Sequence, residues 1–349
     1  MAQSMTSTTE KGSVTGRAAV VAKPEAGLKM EQLTYTQPQG HDVRLKLQAC
    51  GVCHSDSFCM DGHFPGLKYP VVPGHEIIGV VESVGRDVQR FKAGDRVGVG
   101  WHAGHCGVCP SCRSGDFITC IKLETPGITR DGGYAEYAVF PEAACAVVPE
   151  SLSSSDAAPL LCAGVTTFNA LRHSGAIAGD TVAILGIGGL GHLAVQFASK
   201  MGYKTVAIAR GADKEKFAKE LGADIYLNSD DKDAVASLSK SGGAKVILAT
   251  ATSSKAMSPW VEGLSVGGRM VIVGAGMEPL NVSPVQLLPF RKSITGWPSG
   301  TAKDSEECMT FCARNGIRPM TEKFAFDKAS EAYERMMSGA ARFRVVLEF

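Results

Sequence analysis

The sequence lacks an excess of charge of either sign. Its 349 residues hold 36 Lys plus Arg and 35 Asp plus Glu, a formal net charge of +1. Nucleic acids and anionic membranes are captured by surplus basic charge, so neither is an expected partner. Residues 1–16 are polar and carry no apolar stretch of the secretory type. That sets the expectation of a reducing, cytoplasmic setting. There is no internal repeat and no low-complexity tract. One window invites a membrane reading: Thr181–Ser199, nineteen residues without formal charge. Four glycines fall within six positions there, and His192 and Gln196 lie inside it. Such a window suits a sheet-to-helix turn better than a spanning helix.

The remaining composition is that of an ordinary globular protein, 44% hydrophobic and 20% charged, which excludes global disorder. At roughly 150 residues per domain the length suggests about two domains. A chain of this size buries a sizeable core without staples. Two counts stand out, 11 cysteines and 40 glycines. Eleven is odd, so the cysteines cannot all pair with one another. In a reducing compartment, cysteines point to metal binding or catalysis rather than to disulfides.

Residues 1–14 read as a loose, disordered tail. From Arg17 to about Val148 the pattern is β-rich, with strands expected at Val43–Leu47 and Ile77–Val84 and a turn at Gly94-Asp95 entering another. Between Trp101 and Thr125 the apolar periodicity stops. Near Ser153 a capped helix start appears, followed by alternating strand and helix patterns. Strands are expected at Thr181–Leu185, Val206–Ala209, Lys245–Ala249 and Arg269–Val273, and helices at Gly191–Met201 and Lys214–Leu221. This alternation argues for βαβ units on a parallel sheet, an α/β fold. Helices at Lys303–Asn315 and Lys328–Ser338 and a strand at Arg344–Phe349 close the chain.

The strand Thr181–Leu185 runs into Gly186-Ile187-Gly188-Gly189-Leu190-Gly191 and then a helix. This is G-x-G-x-x-G in the context that gives it meaning. The first glycine permits a tight turn, the second lets a pyrophosphate approach the backbone, and the third lets helix and strand pack closely. Gly186, Gly188, Gly189, Leu190 and Gly191 are therefore the expected cradle of a dinucleotide, with helix amides facing its phosphates. The second strand should end in an acid if the adenosine ribose carries a free 2′-hydroxyl. It ends instead in Ala209, then Arg210, with Lys214 following. A guanidinium can pair with a 2′-phosphate, so NADP(H) is expected over NAD(H).

Cys106, Cys109, Cys112 and Cys120 give C-x₂-C-x₂-C-x₇-C. Four thiolates in one loop can close a tetrahedral structural zinc site and order a segment that lacks a core. An iron–sulfur cluster competes, since ferredoxins open the same way. Their fourth cysteine follows after about three residues and precedes proline; here the gap is longer and Ile121 follows. A second constellation joins Cys53-His54-Ser55-Asp56 to His75-Glu76, with Cys162 much later. Two thiolates and an imidazole suit a zinc with an open fourth position, the mark of a catalytic site. Asp56 and Glu76 lie beside the metal group, able to orient or tune it.

Together these residues carry a resemblance. Gly51-Val52-Cys53-His54-Ser55-Asp56, Pro73-Gly74-His75-Glu76, Phe91-Lys92-Ala93-Gly94-Asp95-Arg96-Val97, the four-cysteine loop and Gly186–Gly191 occur in the order seen in the zinc-dependent, medium-chain alcohol dehydrogenases. The chain resembles that family from about Gly16 to Phe349. The resemblance implies a GroES-like β-rich catalytic domain, residues 15–163 and 299–349, interrupted by a Rossmann parallel-sheet domain, residues 164–298. It implies Cys53, His75 and Cys162 as ligands of the catalytic zinc, Glu76 within the same group, and Ser55 as the hydroxyl that relays the proton. It also implies Cys106, Cys109, Cys112 and Cys120 around a structural zinc. Thr166 becomes a nicotinamide neighbour, and His54 and Arg344 contacts of the cofactor phosphates. Trp101 matches a substrate-pocket aromatic, joined by Phe58 and Phe64. In many members a relay histidine follows the first zinc ligand by five residues. Here Phe58 stands there, so the final proton step must differ.

The implied activity is reversible oxidation of an alcohol by hydride transfer to a nicotinamide cofactor. A primary alcohol or aldehyde with an apolar tail is the expected substrate, and a homodimer or homotetramer the expected assembly. The main alternative is another zinc-containing medium-chain reductase, acting on an activated C=C bond.

Overall fold

The computed structural model of the chain describes residues 12–64, 66–274 and 276–349. The expected tail falls mostly outside these residues. Its last part does not behave as a tail: the Gly12 carbonyl accepts from Arg44 Nη1, and a strand begins at Val14. Arg44 is buried and also donates to the carbonyls of Tyr35 and Thr36, so a core guanidinium ties the start of the chain down.

The β-rich part is built on a seven-stranded sheet. Along it lie Thr321–Ala325, Arg344–Glu348, Asp42–Val52, Ile77–Val84, Arg96–Val99 and Cys145–Val147, with Tyr137–Pro141 paired to Asp42–Val52 off this path. Val14–Val21 and Leu28–Tyr35 form a separate antiparallel pair. The final strand pairs antiparallel with Asp42–Val52, bringing Val345 opposite Val52. The last residues of the chain therefore complete a sheet begun near its start. Both faces of Asp42–Val52 bury apolar groups, among them Val43, Leu45, Leu47 and Cys50.

The second part is a six-stranded, wholly parallel sheet. Its spatial order is Ile225–Asn228, Lys204–Ala209, Thr181–Leu185, Ala244–Ala249, Leu264–Ile272 and Ser293–Gly296. Numbered along the chain this is 3-2-1-4-5-6, the doubly wound order whose ligand crevice opens at the carboxyl end of the first strand. Sequence periodicity misses the two edge strands, Ile225–Asn228 and Ser293–Gly296. Each has only four residues, and none is fully buried, so neither shows an apolar run.

The expected helices at Gly191–Met201 and Lys303–Asn315 are observed as Gly191–Lys200 and Ala302–Asn315. Periodicity does not mark a further helix, Ala163–Arg172. Nine of its ten residues are buried, so it lacks the polar stripe that distinguishes a surface helix. It packs against both Gly191–Lys200 and Ala302–Asn315. The apolar cluster around it joins Ala49 and Ile78 of the β-rich part to Val182 and Ile184 of the parallel sheet. No helix among the described residues is long and apolar enough to cross a membrane.

Candidate active site

The first metal group is assembled from three regions. Cys53 follows the strand Asp42–Val52 and caps a short 3-10 turn, His54–Asp56. His75 and Glu76 directly precede the strand Ile77–Val84. Cys162 caps the buried helix Ala163–Arg172. One ligand atom from each of Cys53, His75, Glu76 and Cys162 lies within 4.8 Å of the others. The two sulfurs are 3.8 Å apart.

Asp56 organises this group. Its Oδ2 accepts from the Cys53 amide and from the Tyr134 hydroxyl, each at 2.9 Å. Its Oδ1 is 3.0 Å from His75 Nδ1. Among the described residues, His75 Nε2 has no hydrogen-bond partner. The Cys53 thiol is held well below its usual pKa by its hydrogen bond with Cys162, with His75 adding to the effect against burial. Behind the group, Glu76 pairs with Arg344, and both are buried. Burial pushes the Glu76 carboxyl up to about 7, while Arg344 pulls the other way. Two glycines make room: a Cβ on Gly51 would collide with the Glu76 carboxylate, and one on Gly74 with the Tyr134 ring. Gly51 and Gly74 stand in the sequence motifs that carry Cys53 and His75, whereas Tyr134 has no motif.

The chemistry of the donors fits zinc. Two thiols, an imidazole nitrogen and a carboxylate oxygen converge in a buried pocket, and His75 Nε2 and Glu76 Oε2 have no hydrogen-bond partner there. Such a mixed N, S and O set is what zinc accepts. The second group, Cys106, Cys109, Cys112 and Cys120, matches a closed tetrahedron. Thiolates at ~2.3 Å from a zinc sit about 3.8 Å apart. Here the sulfurs of Cys106 and Cys120 are 3.6 Å apart, of Cys109 and Cys120 3.9 Å, and of Cys106 and Cys112 4.0 Å. The amides of Cys106 and Lys122 both donate to Cys120 Sγ at 3.3 Å. Apart from the cysteines, Phe117 and Leu123 are the only apolar groups packed in this lobe among the described residues.

Around the first group, Trp101 meets the His75 ring edge-on at 4.9 Å. Phe58 and Phe64 are 6.2 Å apart, and all three aromatics pack against the same cluster of Val21, Cys59, Met60, Val71 and Ile128. Ser55 is half-buried and His54 exposed, in the turn that follows Cys53. Thr166 is buried one turn into the helix capped by Cys162. A cavity of about 870 Å³ lies elsewhere, lined by His102, His105, Asn169 and Trp297, and takes in none of the metal-group residues.

The glycine turn has the shape of a phosphate cradle. Gly186 adopts φ +101°, which a side chain would strain, and Thr250 Oγ1 donates to its carbonyl. A Cβ on Gly191 would strike the Gly186 carbonyl. At Gly188 a Cβ would meet nothing within 4 Å, so the backbone there stands open to a ligand. Arg344 reaches this turn as well as Glu76: its Nη1 is 3.0 Å from where a Cβ on Gly189 would lie. The one arginine thus touches the cradle and the metal group together. At the end of the second strand, Arg210 is exposed and Lys214 half-buried. An acid does face this turn, from just past the neighbouring strand rather than from its own. The Gly211 amide donates to Asn228 Oδ1 at 2.9 Å and to Asp230 Oδ2 at 3.1 Å. A 2′-phosphate would therefore depend on the two basic side chains, not on that amide.

A doubly wound nucleotide sheet joined to a β-rich domain with two zinc-competent groups defines a medium-chain dehydrogenase. Comparison with known proteins agrees. Residues 39–150 match the family model "Alcohol dehydrogenase GroES-like domain", and residues 189–314 match "Zinc-binding dehydrogenase". The chain is 44% identical over 333 residues to the alcohol dehydrogenase patD of Penicillium expansum, covering 95% of this chain and 97% of that one. A cinnamyl alcohol dehydrogenase from Sorghum bicolor superposes with a TM-score of 0.87 at 31% identity, over 96% of this chain and 98% of that one. A structure of CAD from Helicobacter pylori complexed with NADP(H) superposes at 0.85 with 26% identity, over 96% and 98%. The chain belongs to the zinc-dependent, medium-chain alcohol dehydrogenase family, and it is an oxidoreductase of GroES-like plus Rossmann architecture.

Proposed function

We propose that the protein interconverts a primary alcohol and its aldehyde, with NADP(H) preferred over NAD(H). The observation that carries this reading is the shared contact of Arg344. It sets an open glycine cradle beside a buried Cys53, His75, Cys162 and Glu76 group. Cys53, His75 and Cys162 would hold the catalytic zinc, which as a Lewis acid favours the alkoxide form of a bound alcohol. Asp56 keeps His75 and Cys53 in place for that task. Ser55 takes the hydroxyl proton and passes it outward, and Thr166 borders the nicotinamide. His54 and Arg344 meet the pyrophosphate, and Arg210 and Lys214 the 2′-phosphate. Phe58, Phe64 and Trp101 make the substrate wall apolar, which suits an alcohol with an apolar tail. Cys106, Cys109, Cys112 and Cys120 would hold a second, structural zinc.

In this reading residues 15–163 with 299–349 form the catalytic domain and residues 164–298 the cofactor domain. The setting is cytoplasmic, because six cysteines must stay reduced to serve two metals. The protein assembles as a homodimer or homotetramer. The edge strand Ser293–Gly296 supports self-association, since exposed Val285, Leu288 and Phe290 lie just before it.

The test is a panel of alcohols and aldehydes, each with both nicotinamide cofactors, followed by the absorbance of the reduced cofactor. Primary alcohols or aldehydes with NADP(H) should give the highest kcat/KM. Reduction of enals at the C=C bond without alcohol formation refutes the reading. Ala209→Asp should lower the NADP/NAD ratio of kcat/KM. An unchanged ratio refutes the 2′-phosphate argument.

A further inference from the structure

His192 follows the last glycine of the turn and is completely buried. Its Nδ1 lies 2.8 Å from the Gly188 carbonyl, which also accepts from the His192 backbone amide at 3.1 Å. Its Nε2 accepts from the Met320 amide at 3.2 Å. A carbonyl on one side and an N–H on the other fix the tautomer: the proton sits on Nδ1 and Nε2 is bare. The ring stacks on Phe343 at 5.0 Å and 25°.

Both partners matter to the site. Gly188 is the open point of the cradle, and its carbonyl must face away from an anionic ligand. His192 gives that carbonyl two donors on the far side. Met320 leads into the strand Thr321–Ala325, and its own carbonyl accepts from the amides of Phe343 and Arg344 at 3.0 and 2.9 Å. The same imidazole therefore holds the cradle at one nitrogen and, through Met320, the backbone of Arg344 at the other. Gln196, one helical turn on, makes a second tie to the same segment, donating to the Arg318 carbonyl at 3.1 Å.

We propose that His192 is a positioning residue that registers the glycine turn against the strand carrying Arg344, so that cradle and guanidinium grip the cofactor phosphates as one unit. The role needs a neutral ring with a donor and an acceptor at opposite ends. Burial lowers the pKa of His192 to about 4, so the neutral form persists through the physiological range. The inference rests on the nicotinamide cofactor of the proposed function, though not on the choice between NADP(H) and NAD(H).

The test uses zinc-loaded full-length enzyme and fluorescence titration with NADPH and with NADH. His192→Phe keeps the stacked ring and removes both side-chain hydrogen bonds. The expected result is a rise of about tenfold in cofactor Kd and KM, the size expected for an orphaned buried polar group. Turnover at saturating cofactor and zinc content should stay near wild type. His192→Gln, which restores a donor or an acceptor, should recover part of the affinity and also serves if the Phe variant does not fold. Gln196→Leu cuts the second tie at Arg318 and the Gln196 Nε2 bond to the His192 carbonyl but leaves both ring hydrogen bonds of His192 in place, and should leave the Kd unchanged. Wild-type Kd in both His192 variants overturns the inference, as does an equal rise in Gln196→Leu. If wild-type enzyme binds neither cofactor, it is the proposed function that fails.

Discussion

Replacing Arg344 by Leu tests the link between metal group and cofactor domain quantitatively. Arg344 is 5% exposed and Glu76 is fully buried, so water cannot stand in for the lost partner. Removing one half of a buried ion pair costs about 3–5 kcal/mol when the other half must stay charged. Glu76 has an escape, because burial already pushes its carboxyl up to about 7 from an ordinary 4.5. At pH 5 it is neutral with or without the arginine. The loss there is that of a hydrogen bond to a charged donor, about 1.5–3 kcal/mol. The raised value means that Glu76 supports the fold below its ordinary pKa, and that this support fades as pH rises through about 7. Without Arg344 the carboxyl titrates higher still. Each unit of that rise is worth about 1.36 kcal/mol, so the variant loses about that much more at alkaline pH than at pH 5 for every unit the carboxyl climbs. The assay is urea unfolding across pH on enzyme treated with a chelator, since a divalent cation beside Glu76 would offset its charge. Glu76→Gln removes the carboxyl's share, and in that background the pH dependence of Arg344→Leu should shrink to what the Cys53 and Cys162 thiols, which also face Arg344, contribute. A loss that does not grow between pH 5 and 9, or that grows equally in the Glu76→Gln background, refutes the reasoning.

Two further perturbations separate function from fold. Gly188→Val places a side chain in open space, so thermal stability should hold while cofactor binding is lost. Gly191→Ala meets the Gly186 carbonyl and should lower stability by about 1–3 kcal/mol through overpacking. A melt and a cofactor titration on each variant check the contrast, and loss of stability at Gly188 with retention at Gly191 would contradict it. Cys109→Ser should release one metal ion per chain and open the 106–120 lobe to proteolysis, because little besides the cysteines packs there. A lobe that stays protease-resistant without its metal contradicts the assignment.

Local chemistry is legible in the sequence because it is written at short range. The glycine turn sits between its own strand and helix. The four cysteines of the lobe lie within fifteen residues of one another and converge with spacings near those of a zinc tetrahedron. The parallel sheet follows from alternating strand and helix patterns, except at its edges, where strands of four residues, none of them buried, carry too little periodicity. The helix Ala163–Arg172 is hidden for the opposite reason, being buried almost all round.

What the sequence by itself determined is which residues have the chemistry to bind a metal or a dinucleotide. Their arrangement belongs to the tertiary structure. Only the fold brings Asp56 and Tyr134 together behind His75, across 78 positions of chain. Only the pairing of the final strand with Asp42–Val52 carries Arg344 to Glu76, 268 positions away, and beside Gly189. Asp230 likewise faces the turn after Ala209 only because neighbouring parallel strands end side by side. The physical reason is the same in each case. Residue type and spacing set what a group can bind, whereas strand pairing and burial set which groups meet and which charges lose their water.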